Sequence, residues 1–483
     1  MRSLEHDWLK QLLWGCTFGD FLIAPGWGVA TSRKNISLVS KFSQNIPLNI
    51  PLVSANMDTI TGARMAITVA KKGGIGIIHR YLSIDDQCQK VEEVKREENF
   101  IIEKPYSTSP NVTIGEARNI MEKNKVGGLV VVDEEGRLLG ILTNKDLRFC
   151  HDSDSVDGRM SVRPITGSLG ISLSEAKILL DKFRLEKLPL VDKDRKLKGL
   201  ITSRDIENLE RYPLANKDKN GQLLVGAAIG ATGDYLERTA DLIKAGVDVI
   251  VLDIANSQSD VAKTAVISFR KKFPDAELVV GNIVLPEAVH VLEQLGVNGF
   301  KVGLGPGSAC TTRKNTNIGI PQAQAVYGCS TVSKVPICAD GGIKRNGSIA
   351  AALMLGGSSV MIGGLFAGTD ETPGLVFRDS NGEEVKAFRG MASREAMHEK
   401  LRAEEDDDPY ETSSRISPEG IEKKVKYRGS VAPVIDEMIG NLSSAISYMG
   451  AMSLQEAKEM FMAHPMSYLI KLSESAKRES WDR

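Results

Sequence analysis

The stretch GFKVGLGPGSACTTR spans Gly299–Arg313. A strand-like apolar run passes into a loop with glycines at 303, 305 and 307, and then into a cysteine followed by two threonines. Glycines at the end of a strand let the backbone approach a ligand closely. Cys310 therefore has two readings. Most cysteines are small buried hydrophobes, but one at the mouth of a site can be a nucleophile.

The same arrangement recurs along the chain. Short β-rich segments are IPLVSANMD (50–58), GGIGIIH (73–79), LLVGAAIG (223–230), VDVIVLDIA (247–255), ELVVGNI (277–283), GFKVGLG (299–305), VPICADGG (335–342) and SSVMIGGLFAG (358–368). Between them lie DYLERTADLIKAG and PEAVHVLEQLG, apolar at helical spacing and closed by glycine. Eight strands alternating with helices predict an α/β fold, a (β/α)8 TIM barrel. Many of these strands end in small or polar groups, among them Asp253, Asn282, Gly305 and Asp340. In such a barrel the strand C-termini and the loops after them build the active site.

The totals fit this reading. A chain of 483 residues predicts more than one domain, and 45 glycines suit an enzyme with tight loops. A formal net charge of -1 argues against a nucleic-acid partner. The six cysteines are scattered with no C-x-x-C, and the six histidines do not cluster. Neither a disulfide framework nor a zinc site is expected, and a reduced, cytoplasmic compartment is. The N-terminal MRSLEHDWLKQLLWGC lacks the core of a signal peptide, and no apolar run reaches membrane-spanning length.

Strand spacing breaks between the second and third segments. Residues 95–215 intervene, and they contain a repeat: VGGLVVVDEEGRLLGILTNKDLR (126–148) matches LEKLPLVDKDRKLKGLITSRDIE (185–207). Gly140/Gly199, Thr143/Thr202 and Asp146/Asp205 share an offset of 59 residues. Each unit reads strand, turn, strand, helix. The insert resembles a tandem CBS (Bateman) pair, which implies ATP or GTP as ligands of its cleft; a purely structural insert is the alternative. The expected organisation is a catalytic barrel from 1–94 and 216–483 around this 95–215 module. Residues 394–424 are charged and poor in apolar groups, which predicts a disordered connection or a mobile flap.

GPGSACTTR, DGGIK, GGLFAG, FRGMAS and PEGIE follow one another in the order found in the IMP dehydrogenase / GMP reductase family, which the chain resembles over nearly its full length. That resemblance implies a thiolate attack on C2 of a purine nucleotide. It makes Cys310 the nucleophile, Thr312 a proton-handling hydroxyl beside it, and Glu419 the carboxylate coupled to Thr312. The carbonyls of Gly305, Gly307 and Cys310 match a potassium-binding loop. Ser308, Gly342, Gly363 and Gly364 match phosphate-binding positions, Asp340 the carboxylate on the ribose hydroxyls, and Met391 and Ala392 the loop at the base. Asp253, Ala255 and Asn256 match the cofactor side, near the nicotinamide ribose. For Thr312 and Asp340 alone, capping or turn formation is the plainer role; Cys329 and Cys338 read as structural. The family also implies a homotetramer, or an octamer.

Two reactions are open to such a site. A dehydrogenase oxidises IMP with NAD and must activate water, with an arginine of a flap Arg-Tyr pair. A reductase deaminates GMP with NADPH and needs no such water. Pro409 precedes Tyr410 where that arginine is expected, with Arg402 and Arg415 as possible substitutes. Asn56 in ANMDT, Gly364 in GGLFAG and Ala392 in FRGMAS also match the reductase pattern. The sequence expectation is thus a GMP reductase carrying CBS domains. The alternatives are an IMP dehydrogenase and a catalytically inactive nucleotide sensor.

Overall fold

In the computed structural model of the protein, residues 2–97, 102, 105–124, 126–403 and 417–481 are described. The chain divides into two units, Met1–Glu97 with Leu214–Arg483, and Glu98–Pro213. Eight parallel strands close the first unit into a barrel: β1 (Leu52–Ser54), β2 (Ile75–Ile78), β3 (Val225–Ile229), β4 (Val249–Asp253), β5 (Leu278–Ile283), β6 (Gly299–Val302), β7 (Ile337–Asp340) and β8 (Ser359–Ile362). Each strand pairs with the next, and β8 returns to β1 through Val360↔Leu52 and Met361↔Val53. This is the (β/α)8 architecture expected from the alternation of strands and helices.

Strands covered on both faces read as near-continuous apolar runs. Every residue of β1, β2, β3, β6 and β8 is buried. In β4 and β7 the pattern changes only at the last residue, where Asp253 and Asp340 emerge half-buried. In β5 the half-buried position is Asn282. The polar ends thus gather at one rim of the barrel. The outer helices present one apolar stripe each. Helix Asp260–Lys272 buries Ala262, Ala265, Val266 and Phe269, and the Ser259 hydroxyl caps its start by accepting from Ala262 N–H.

At the opposite rim, a hairpin of Ser40–Ser43 and Ile46–Leu48 abuts the strand starts. The Ser43 hydroxyl and Asn45 N–H both donate to Glu277 Oε1, at 2.6 and 2.9 Å, just before β5. After β8 comes an antiparallel sheet of β9 (Phe377–Arg378), β10 (Glu384–Arg389) and β11 (Glu422–Lys426). Within the polar 394–424 segment, Arg394–Ala403 is helical and Glu422 already belongs to β11. The charged run EKKVK is extended because its backbone pairs with β10 from Val385↔Lys426 to Arg389↔Glu422. Residues 404–416, with Pro409, Tyr410 and Arg415, lie outside the described residues.

The second unit is built twice. Gly128–Val132 pairs with Leu138–Thr143 from Gly128↔Thr143, and Lys187–Val191 pairs with Leu197–Thr202 from Lys187↔Thr202. Both ladders shift register at the equivalent step, Val131/Val132 and Leu190/Val191. Helices Ile114–Lys123 and Leu173–Phe183 each start with a capping box, Thr113/Glu116 and Ser172/Glu175. Among the described residues, no helix is long and apolar enough to cross a membrane.

Helix Ala63–Lys71 packs so closely on β2 that a Cβ at Gly76 would stand 2.4 Å from Ala66 Cα. Backbone cannot yield as a flexible side-chain tip does. We expect Gly76→Val to cost about 1–3 kcal/mol or more, read as a lower melting temperature of the full chain.

Candidate active site

Cys310 sits where three chain segments are laced together by backbone hydrogen bonds. Thr311 N–H donates to the Glu419 carbonyl at 2.8 Å, and Ile421 N–H to the Ala309 carbonyl at 3.0 Å. Glu419 N–H donates to the Ala392 carbonyl at 3.0 Å, and Gly390 N–H to the Ile421 carbonyl at 3.1 Å. This lacing brings Glu419 next to residues more than a hundred positions earlier. The Cys310 thiol donates to Thr312 Oγ1 at 3.2 Å, and the Thr312 hydroxyl donates to Glu419 Oε2 at 2.7 Å. The three side chains form one proton path from sulfur to carboxylate. Thr312 also opens the helix Thr312–Thr316, whose cap residue is Thr311, and its hydroxyl points along this path.

The path borders a cavity of about 220 Å³ at the C-terminal rim of the barrel. Gly305, Gly307, Ser308 and Cys310 line it from the β6 loop, Gly342 from the β7 loop, and Gly363 and Gly364 from the β8 loop. Asp253, Asp340 and Met391 line it too. Ala392 contributes to the lacing, whereas Ala255 and Asn256 are exposed on the loop after β4 and are not among the lining residues. At Gly303 the backbone has φ +150°, and a Cβ there would stand 2.1 Å from the Asp340 carbonyl. Only glycine lets the two loops approach this closely.

Three groups of this site were given no role in the sequence reading. Lys301 of β6 is almost wholly buried, and its Nζ lies 2.8 Å from Asp253 Oδ1 and 2.7 Å from Asp340 Oδ2. Asn282 Nδ2 donates to Asp340 Oδ2 at 2.9 Å, and Lys301 donates to Asn282 Oδ1. The signal for Lys301 was a single charge inside an apolar strand. Burial opposes ionisation of Asp253, but the adjacent Lys301 ammonium outweighs it and holds the carboxyl below its ordinary range. Burial likewise opposes the Lys301 charge, and its two carboxylates reverse that and raise its pKa. The third group is the Asp58–Arg389 pair, 2.6 Å apart, which ties β10 to the loop after β1; Asp58 N–H also meets Met391 Sδ at 3.3 Å.

The comparisons with known proteins agree on the family. Residues 15–482 match the IMP dehydrogenase / GMP reductase domain. The chain belongs to the IMP dehydrogenase / GMP reductase family. The inosine-5'-monophosphate dehydrogenase of Nitrosopumilus maritimus is 43% identical over 92% of this chain and 94% of its own. That of Bacillus subtilis is 40% identical over 92% of each. A solved structure of Trypanosoma brucei GMP reductase, with one cysteine replaced by alanine and guanosine 5'-monophosphate in complex, superimposes with TM-score 0.88. It is 36% identical, over 96% of this chain and 97% of that one.

These findings overturn the expectation of a GMP reductase using NADPH. Relatives with 39–43% identity over nearly the whole chain are named dehydrogenases, against 33–36% for the reductase structures. The site geometry shows why the residue-level signs misled. Asn56 lines the cavity, Ala392 contributes a backbone carbonyl to the lacing, and Gly364 leaves room beside Ser308 Oγ. None of the three supplies an acid or a base. Arg402, the described candidate for a substitute base, is exposed on its helix, 4.0 Å from Glu399.

His79, at the end of β2, is buried, with Nδ1 unpartnered among the described residues. Burial pushes its pKa down to about 3. Between that value and the unfolded value, only the unfolded chain takes up this proton. Stability is therefore lost as pH falls below about 6.5. We expect His79→Asn to flatten the fall in melting temperature between roughly pH 6.5 and 4, measured by thermal unfolding across that range.

Proposed function

We propose that the protein is an NAD-dependent IMP dehydrogenase, converting IMP, NAD and water to XMP, NADH and a proton. The observation that carries this reading is the identity to dehydrogenases across more than nine-tenths of both chains, joined to a thiol, hydroxyl and carboxylate in line at the cavity. In this reading Ser308, Gly342, Gly363 and Gly364 receive the phosphate through the loops after β6, β7 and β8. Asp340 accepts from the ribose hydroxyls, and Met391 and Ala392 face the base.

Cys310 sulfur bonds to C2 of the purine, its proton leaving along Thr312 to Glu419. Nicotinamide, when bound, accepts the hydride that leaves C2 with its electron pair. Asp253 suits the nicotinamide ribose, because a carboxylate kept ionised at the rim can accept from a diol. Glu419 gives up that first proton to solvent, and water then adds to C2, passing its proton to Thr312 as Thr312 passes its own to Glu419. The C2–sulfur bond breaks, the departing thiolate takes the second proton back through Thr312, and XMP leaves with the Cys310 thiol restored. Glu419 thus supplies the base that Pro409 cannot. The carbonyls of Gly305, Gly307 and Cys310 suit a monovalent cation: they are neutral oxygens, and Gly307 spends one lone pair on Cys310 N–H at 3.1 Å and keeps another. The family resemblance further supports a homotetramer.

The test is direct. IMP with NAD is expected to give XMP and NADH, and Cys310→Ala is expected to abolish both while leaving IMP binding measurable. Glu419→Gln should slow both the first turnover of NADH and the release of XMP, the latter about 10²–10⁴-fold, followed by stopped-flow absorbance. Failure of the wild-type protein to make XMP would overturn the reading.

We propose also that the Glu98–Pro213 unit is a CBS pair that binds ATP or GTP. The support is its twofold build, with equal register in both halves; a solved T. brucei GMP reductase at 33% identity is in complex with guanosine 5'-triphosphate. Replacing 98–213 by a short linker is expected to preserve XMP formation and to abolish any response to ATP or GTP, checked by steady-state rates.

A further inference from the structure

Lys301 takes no part in the bond changes above, yet it is the most fully enclosed charge at the rim. Its side chain is 4% exposed, and its ammonium donates to Asn282 on β5 and Asp340 on β7 and pairs with Asp253 on β4. The space for it is made by Gly281, where a Cβ would stand 2.4 Å from Lys301 Cβ. An ammonium buried in this way is tolerated only when paired and hydrogen-bonded. Here one charge serves two carboxylates that the proposed reaction uses for different molecules. Asp340 gives Oδ2 to Lys301 and Asn282, which leaves Oδ1 as an acceptor. Asp253 gives Oδ1 to Lys301.

We propose that Lys301 is a positioning residue shared by the two subsites, its single ammonium fixing the carboxylate for the nucleotide ribose and the carboxylate for the nicotinamide ribose together. The proposal rests on the dehydrogenase reading and deepens it. Its signature is that a residue bonded to neither substrate governs the affinity for both.

The test compares Lys301→Met with Asp340→Asn and Asp253→Asn in the full-length protein, in steady state with IMP and NAD. Asp340→Asn should raise KM for IMP alone, and Asp253→Asn KM for NAD alone. Lys301→Met should raise both, each by about tenfold or more, with a smaller fall in kcat. Lys301→Gln, one bond shorter but with a donor, is measured the same way in case the methionine variant does not fold. Calorimetric titration of IMP into Cys310→Ala and Cys310→Ala/Lys301→Met proteins reads the nucleotide half without turnover. A lysine variant that folds and leaves both KM values within about twofold, or moves only one, overturns the proposal. Absence of NADH from the wild-type protein would instead overturn the dehydrogenase reading, and the IMP titration would still decide the role of Lys301.

Discussion

The candidate site depends on a few backbone hydrogen bonds that lie outside the barrel sheet. The hydrogen bonds of Thr311 and Ile421 to Glu419 and Ala309 stitch the β6 loop to the approach to β11. The barrel alone would place Cys310 and Thr312 at its rim, but it would leave their hydroxyl–thiol pair without a carboxylate. Charge-assisted hydrogen bonds are short and directional, and the 2.7 Å contact from Thr312 to Glu419 is one of them. It exists because the segment after residue 416 is held by main-chain groups, so the position of Glu419 does not depend on its own side-chain pairing.

The rim is organised by charge in the same economical way. Two carboxylates at the ends of β4 and β7 would repel each other and resist burial. Lys301, reaching up from β6, turns that liability into a fixed arrangement of acceptors. Buried ion clusters add little net stability relative to apolar packing. Their retention at a rim is better understood as orientation: Asp253 and Asp340 are each held through one oxygen. The Asp58–Arg389 pair does similar work higher up, anchoring β10, and thus Gly390–Ala392, to the loop after β1.

Much of this was legible in the sequence because it rests on local pattern. Parallel strands buried on both faces are apolar throughout and end in polar groups at the rim, so β1 to β8 could be recognised one by one. The 59-residue offset of the insert reappears in its strand pairing, because equal sequence at equal spacing gives equal register. The glycine-rich loop and Cys310 stood out for the same reason. What escaped was non-local. Lys301 is a lone charge in an apolar strand, and nothing local in the sequence shows that barrel closure carries Asp253 and Asp340 to it. The choice between two reactions was misread from Asn56, Gly364 and Ala392, which differ in size and shape but carry no proton chemistry. The extended form of Glu422–Lys426 was hidden in a charged run, since β10 imposes it.

The position of the insert follows from where the barrel can tolerate an interruption. Strands β2 and β3 pair directly, with Gly76↔Val225, although the chain leaves at Glu97 and returns at Leu214. Closing a longer loop costs little, roughly 0.6 kcal/mol for each doubling of length, provided both ends are fixed to the barrel. They are. Lys95, two residues before the exit, pairs with Asp218 at 3.0 Å and Asp248 at 2.7 Å, all three largely enclosed. Asn216 N–H donates to the Ala70 carbonyl at 2.8 Å, and Asn49 Nδ2 to the Leu214 carbonyl at 3.0 Å. Burial pushes the Asp248 carboxyl up to about 6 despite the lysine beside it, so this clasp is held at an electrostatic cost. That cost is consistent with a fixed exit and re-entry being what the barrel requires of this corner. With both ends pinned to groups of the barrel itself, β3 can find β2 whatever lies between them, and the catalytic rim at the far ends of the same strands is insulated from the length of the insertion.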